Sequence, residues 1–362
     1  MHSENPGRPS RLRLALVFSA IVAALLVAAC GSSGGGDPSS GSAKTLLQQT
    51  FSGGHTVKSG VLDFSLSVDP AGSSTLTTPI VLSLSGPFQS RGTGKLPESD
   101  FTVGISALGK HGELGVVSTG TSGYVTLQGT AYQLPQADFQ RLESSFSSVG
   151  SGSSSGLSGL GIDPQHWLEN PKTVGTATVG GAQTTHIQAG VNVSALLADL
   201  NTFLAKTAKT SGSTKIPTAI PAATQEEIAA AIRDARVDVW TGTTDHTLRR
   251  LTLSLDVPVS GQTSTVLGGM SSAGVALTLQ YSDLNQAQTI AAPTKVAPYS
   301  QFQSKLRTVL EGVEGSVGAS GTSGTSGTSS TSSANVDKYS LCIQQAGQDV
   351  AKMQKCASLL KK

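Results

Sequence analysis

Apolar and polar residues alternate in several short segments between residues 62 and 281. A period of two is that of a β-strand, whose successive side chains point to opposite faces, so each segment predicts a strand with one apolar and one wet face. Breaks containing Gly and Pro at residues 69–72 and 85–87 predict an antiparallel meander. We expect one face of the sheet to carry Leu62, Phe64, Leu66, Leu82, Leu84, Val103, Ile105, Leu253, Leu277 and Leu279.

Helical spacing of apolar residues separates some of these strands. The clearest stripe runs from Leu196 to Leu204, and we expect Ser194 to cap that helix. Asp163-Pro164 predicts the start of a short helix, and Thr224 with Glu227 forms a capping box that predicts another. Strands interspersed with helices indicate an α+β fold, with a hairpin at residues 179–182.

The one long apolar run lies near the amino terminus, at residues 14–29. Arg8, Arg11 and Arg13 precede it and a Gly/Ser-rich segment follows, which is the pattern of an export signal. The alternative is a transmembrane anchor, but the run is shorter than the roughly 20 apolar residues that a spanning helix needs. Cys30 directly after Val27-Ala28-Ala29 resembles the bacterial lipobox. This resemblance implies cleavage after Ala29, a diacylglycerol group on the Cys30 thiol, further acylation such as palmitate, and a lipid-anchored mature protein.

Composition divides the remaining chain into a tether, a domain and a tail. Residues 1–29 are the predicted signal peptide, residues 30–42 a flexible Gly/Ser tether, and residues 43–300 one domain. A short helix and a Gly/Ser/Thr-rich linker are expected at residues 301–334, followed by a helical hairpin at residues 335–362. With Cys30 lipidated, Cys342 and Cys356 remain, and an even pair outside the cytoplasm predicts a disulfide that staples this hairpin.

Charge and motifs exclude several classes of function. Removing the signal takes three arginines and one glutamate from 25 basic and 23 acidic residues, so the mature chain is close to neutral. Neutrality argues against nucleic acid as a partner and against electrostatic binding to membranes. The six histidines lie in separate segments and do not have the spacing of metal ligands. The sequence also has no motif typical of a phosphate-binding loop or of a nucleophile elbow. We therefore expect no enzyme activity, no metal and no cofactor, and interpret His186, Trp240 and His246 as surface or hairpin residues.

Three segments resemble the actinobacterial LppX/LprAFG family, which is similar in architecture to the LolA carriers of lipoproteins. Together with Cys30 they occur in the expected order and cover roughly residues 43–297. The chain departs from the family in its long loops at residues 150–161 and 206–223 and in its cysteine-containing tail. The segments are Asn170-Pro171-Lys172 through Leu196-Leu197, Val237-Asp238-Val239-Trp240-Thr241 through Arg249-Arg250, and Leu277-Thr278-Leu279-Gln280-Tyr281 through Ile290-Ala291-Ala292-Pro293.

The resemblance implies a strongly curved antiparallel sheet, a half-barrel, with helices packed on its concave side. It also implies an apolar pocket for the acyl chains of lipids or glycolipids, lined by the ten apolar strand residues named above. We therefore expect an exported lipoprotein on the outer face of the cytoplasmic membrane that binds or carries lipids. The alternative is a non-catalytic structural or partner-binding envelope lipoprotein, in which the same residues form a filled core.

Overall fold

The structure is a computed structural model that describes residues 43–52, 55, 57–92, 94–150, 161–211 and 219–318. The chain divides into two compact units, Met1–Phe302 and Gln303–Lys362. Cys30, Cys342 and Cys356 lie outside the described residues, so the signal peptide, the lipidation and the disulfide stay predictions. Among the described helices, none has the length and apolar character that crossing a membrane requires.

Within the described residues, twelve strands form one sheet, and there are seven helices. The strands are β1 Ser59–Ala71, β2 Ile80–Gln89, β3 Glu98–Ala107, β4 Lys110–Ser118, β5 Gly123–Leu127, β6 Thr130–Gln133, β7 Leu168–Val179, β8 Ala182–Val191, β9 Arg233–Gly242, β10 Leu248–Pro258, β11 Ser272–Ser282 and β12 Val296–Ala297. The helices are α1 Ala43–Ser52, α2 Gln136–Gly150, α3 Pro164–Trp167, α4 Val193–Ser211, α5 Ala222–Ala231, α6 Gly261–Val266 and α7 Tyr299–Gly318.

The strands follow one another as β12-β6-β5-β4-β3-β2-β1-β11-β10-β9-β8-β7. Every pairing is antiparallel except that of β12 with β6, so the sheet is mixed at one edge. Two meanders, β1–β6 and β7–β11, therefore meet where β1 pairs with β11. The sheet does not close into a barrel, since β12 and β7 each have one strand neighbour. The predicted α+β half-barrel fold is confirmed, and among the described strands the β12–β6 pair is the departure from an antiparallel sheet.

The sheet curls at its β7–β11 end. Gly180, in the turn between β7 and β8, lies so close to β11 that a Cβ atom there would clash with the carbonyl oxygen of Tyr281. In the sheet, β8 and β11 are three strands apart. Because neighbouring strands are separated by roughly 4.8 Å, β8 and β11 would be about 14 Å apart in a flat sheet. Only glycine fits this approach, and its φ of 58° belongs to the left-handed region.

Two apolar clusters lie on one face of the sheet. The first contains side chains of β1, β2, β3 and β11 together with Val57. In the second, helices cover β8, β9 and β10, with Leu47 of α1 and Trp167 of α3 against Ile187, Val237 and Leu251. The predicted helices on the apolar side of the sheet are therefore present over this half.

Polar contacts fix these helices in place. The Thr50 hydroxyl of α1 bonds to the Thr241 hydroxyl of β9 at 2.8 Å, and both side chains are buried. The Asp199 carboxylate of α4 accepts a bond from the Trp167 indole N–H at 2.9 Å and one from the Asp163 backbone N–H at 2.6 Å. Because charge-assisted bonds are stronger than neutral ones, Asp199 holds α3 firmly against α4.

Three local predictions need correction. The predicted break at residues 85–87 is wrong, because β2 continues to Gln89 through Gly86, whose φ of 148° lets the backbone pass close to β3. Helix α4 is capped by Asn192 rather than Ser194, since the Asn192 side chain accepts the bond from the Ala195 N–H. The capping box at Thr224 is also wrong, because α5 already starts after Pro221, whose φ of −56° suits a helix entry. The Asp163 cap and the hairpin at residues 179–182 are confirmed.

Candidate functional site

The strand register places the ten predicted residues on one face of the sheet, which we call the apolar face. Phe64 of β1 lies opposite Leu84 on one side and Leu279 on the other. One step along the strand, Leu66 lies opposite Leu82 and Leu277. Directly paired residues of antiparallel strands point to the same face, so these cross-strand pairs connect the set. The remaining pairs are Leu82 with Ile105, Leu84 with Val103, and Leu253 with Leu277.

Coverage of the apolar face decreases along the strands. At one end, which we call the closed end, Phe101 and Leu62 are fully buried. On β3, the exposed fraction rises from 0% at Phe101 through 7% at Val103 to 48% at Ile105. On β2, it rises from 3% at Leu84 to a half-buried Leu82. The same direction holds on β1 and β11 as far as Leu66 and Leu277, which are half-buried, while Ala273 near the end of β11 is buried again.

The less covered end, which we call the open end, is apolar in composition. On β1, β2, β10 and β11, together with Ile105 of β3, its side chains are aliphatic: Leu66, Val68, Ile80, Leu82, Ile105, Leu255, Val275 and Leu277. Lys110 of β4 pairs with Ala107 and adds a charged group to this face beside the β3–β4 turn. The ten predicted site residues leave out Val68, Ile80, Leu255 and Val275, although each continues the period-two run of its strand. The aliphatic side chains can bind hydrocarbon through burial alone, and none of them can act in acid–base or nucleophilic chemistry.

The opposite face is polar and carries a groove of about 480 Å³. Its walls include Asp69, Asp234, Asp256 and Arg236. Asp69 follows Val68 along β1, so it points away from the apolar face. In the described ranges, no group of three or more His, Cys, Asp and Glu side chains is arranged to hold a metal ion. The groove is thus separate from the ten predicted residues.

Trp240 on the polar face is enclosed by its neighbours on adjacent strands. The His186 ring stacks on it with centroids 4.3 Å apart and an interplanar angle of 6°, and the Arg250 guanidinium lies 5.3 Å from its centroid. His186 Nε2 also lies 2.8 Å from the Asp238 carboxylate, which accepts a further bond from Gln188. These side chains form a cross-strand ladder whose polar groups contact one another, an arrangement that stabilises a sheet.

Comparisons with known proteins give structural neighbours and no sequence relatives. Neither a scan of protein-family models nor a search of curated proteins finds a match. Among solved structures, LprF from Mycobacterium bovis is 12% identical over 70% of this chain and 99% of its own, with a TM-score of 0.33. The lipoprotein LppX from Mycobacterium tuberculosis is 13% identical over 65% and 90%, with a TM-score of 0.28. LprF and LppX belong to the LppX/LprAFG family.

A third neighbour is a LolA superfamily protein from Nitrosomonas europaea. It is 10% identical over 69% of this chain and 96% of its own, with a TM-score of 0.18. The solved neighbours therefore include members of the family that the three sequence segments resemble.

Proposed function

We propose that this protein binds the acyl chains of a lipid or glycolipid on the open end of its apolar face. The supporting observation is the fall in coverage from Phe101 through Val103 to Ile105 on one strand, on a face that stays apolar. A folded protein loses stability by leaving such a surface in water unless a ligand covers it. We further propose that the protein is exported and held by lipid on Cys30 at the outer face of the cytoplasmic membrane.

The mechanism is burial without a covalent step. Each methylene group transferred from water to the apolar face contributes about 0.8 kcal/mol, so a bound segment of about ten methylenes gains roughly 8 kcal/mol before the cost of ordering the chain. The aliphatic lining binds hydrocarbon chains and provides no polar partner that would favour one headgroup. Of the ten residues named from the sequence, five are not buried by the protein and are the proposed contacts: Phe64, Leu66, Leu82, Ile105 and Leu277. The other five are buried and form the floor beneath them: Leu62, Leu84, Val103, Leu253 and Leu279.

The direct test is native mass spectrometry of protein purified from membranes in mild detergent. We expect mass adducts that organic extraction releases as lipid. A clean apo mass, together with no uptake of a fluorescent fatty acid by the delipidated protein, would contradict lipid binding. It would favour the alternative of a structural or partner-binding lipoprotein with a filled core.

Tryptophan substitutions on the apolar face separate ligand space from filled core. Leu82→Trp and Leu277→Trp are expected to reduce fatty-acid uptake about tenfold or more and to change the unfolding free energy by less than about 1 kcal/mol, because the larger ring enters ligand space. The matched control is Ala276→Trp, since Ala276 is exposed on the polar face directly beside Leu277. It should leave uptake unchanged.

Fatty-acid titration and urea unfolding on the same three variants give both quantities. If the face is a filled core, overpacking should destabilise Leu82→Trp and Leu277→Trp by about 1–3 kcal/mol. Such a loss of stability in the two variants, together with a parent protein that takes up no fatty acid, would refute the proposed binding face.

A further inference from the structure

The hairpin between β3 and β4 carries an apolar residue in an unfavourable backbone conformation. Leu108 and Gly109 form its two-residue turn, and their φ angles of 53° and 70° are both positive, as in a type I′ turn. This conformation suits Gly, Asn and Asp, whereas a leucine there is strained by its Cβ atom. Leu108 is also 50% exposed, so packing against the protein does not explain the leucine.

Other hairpins of the chain show that the turn does not require leucine. Among the described strands, the turn between β5 and β6 has the same conformation, with φ angles of 51° at Gln128 and 73° at Gly129. The turn between β7 and β8 uses Gly180 and Gly181 in this way. Those turns place an exposed polar side chain or a glycine where the β3–β4 turn places Leu108.

A second exposed apolar side chain lies beside this turn. Ile105 on β3 is paired with Gly112 on β4, which has no side chain to cover it. Five large apolar side chains are exposed among the described residues, and Ile105 and Leu108 are two of them. We call these two side chains the apolar tip.

The apolar tip lies at the open end of the apolar face, because Ile105 pairs with Leu82 and the turn begins three residues later, at Leu108. Helix α1 covers the β8–β10 half of the sheet, and in the sequence residues 31–42 connect it to Cys30.

We propose that Ile105 and Leu108 insert into a lipid bilayer and turn the open end of the apolar face toward it. The proposal rests on the proposed function, since residues 31–42 tether the domain within about 40 Å of a lipid on Cys30 even when fully extended. Lys110, His111 and Glu113 beside the tip bring both signs of charge, so the insertion is apolar rather than electrostatic. A ligand would then pass between bilayer and apolar face without crossing water.

Vesicle flotation tests this inference on residues 31–362, which lack the signal and the anchor but retain every described strand and helix. The vesicles are phosphatidylcholine and phosphatidylglycerol at about 7:3. Two apolar side chains without the acyl anchor bind a bilayer weakly, so the vesicles are used at millimolar lipid. Under these conditions we expect a measurable fraction of the parent to float, at low salt and at about 0.5 M salt alike. Leu108→Asn and Ile105→Thr should each reduce the bound fraction about fivefold or more, whereas Gln128→Asn should not.

Thermal unfolding provides the readout that a structural role would change. Leu108→Asn creates an Asn-Gly pair, which suits a type I′ turn better than Leu-Gly, so its Tm should equal or exceed that of the parent. Failure of the parent to float, or an unchanged bound fraction in Leu108→Asn, would overturn the inference. A parent dimer in sedimentation velocity that Leu108→Asn dissociates, without vesicle binding, would also overturn it and assign the tip to a second copy.

Native mass spectrometry of the same preparations distinguishes failure of this inference from failure of the proposed function. If the protein carries lipid adducts but Leu108→Asn does not change its vesicle binding, the proposed lipid binding stands and the proposed role of the apolar tip is refuted. If Leu108→Asn reduces flotation of a protein that takes up no lipid, membrane insertion of the apolar tip stands and lipid binding on the apolar face is refuted.

Discussion

Leu84→Ala is expected to lower the free energy of unfolding by about 2–5 kcal/mol, whereas Leu82→Ala is expected to lower it by about 1 kcal/mol or less. The two leucines lie on the same strand and the same face, two residues apart. Leu84 is 3% exposed and packs in the first apolar cluster, so its removal leaves a cavity among Leu62, Phe101 and Val103. Leu82 is half-buried, and water replaces its side chain without a cavity.

Urea unfolding of the delipidated protein, followed by circular dichroism, measures both values under the same conditions. Delipidation matters because a bound acyl chain would stabilise the folded state by mass action and obscure the difference. Equal losses of several kcal/mol in the two variants would mean that the open end is as well packed as the closed end. In that case the apolar face has no room for a ligand.

Cys30→Ser should remove the lipid anchor completely. Serine keeps the size of the side chain but lacks the thiol that the lipobox motif modifies. Intact-mass measurement is expected to show no acyl mass, on a chain that either retains residues 1–29 or is released from the membrane. The effect is large, because two or more acyl chains hold a protein on a bilayer far more firmly than a weakly apolar surface does.

Cys356→Ser is the matched control for the anchor, since it also replaces a cysteine but lies at the other end of the chain. It should remain in the membrane fraction with full acyl mass. Cys30→Ser protein that is cleaved after Ala29 and still sediments with the membrane would show that the lipobox interpretation is incorrect. The apolar tip would then be the first surface to test as an alternative contact.

Much of the sheet could be predicted from the sequence, because its main signal is local. Leu62, Phe64 and Leu66 alternate with polar residues, and a period of two assigns them to one face whatever strands lie beside them. The cross-strand pairs Phe64 with Leu279 and Leu66 with Leu277 follow once all apolar faces point to the same side. The predicted ten residues consequently share a face in the structure.

The prediction failed where a residue type is unusual for its conformation. The β3–β4 turn was missed because Leu108 occupies a position that normally carries Gly, Asn or Asp. The break at residues 85–87 was expected because Gly86 and Pro87 usually interrupt strands. Pro87 nevertheless stays in register opposite Val61, and the pairing with β3 is interrupted at residues 86 and 87. Both errors arise because turns were predicted from local residue types alone, without knowledge of the strands that pair at those positions.

Coverage of the apolar face was beyond sequence reasoning for a different reason. Leu82 and Leu84 occupy equivalent positions in the same alternating run, so no local pattern distinguishes the half-buried one from the buried one. The difference depends on where Val57, Phe88 and Phe101 pack over the closed end and on how far the helices reach. Those contacts join residues that are distant in the chain, and periodicity carries no information about them.

The pairing of β1 with β11 determines when this fold can form. Leu62 lies opposite Tyr281, so the centre of the sheet joins the two ends of the domain sequence. Contacts between such distant residues form slowly, because a long loop must close before they stabilise anything. A chain that is still missing β11 leaves the backbone N–H and C=O groups along one edge of β1 unpaired. The domain therefore completes its fold only after β11 has been synthesised, a delay that would suit a chain exported in an unfolded state, as proposed above.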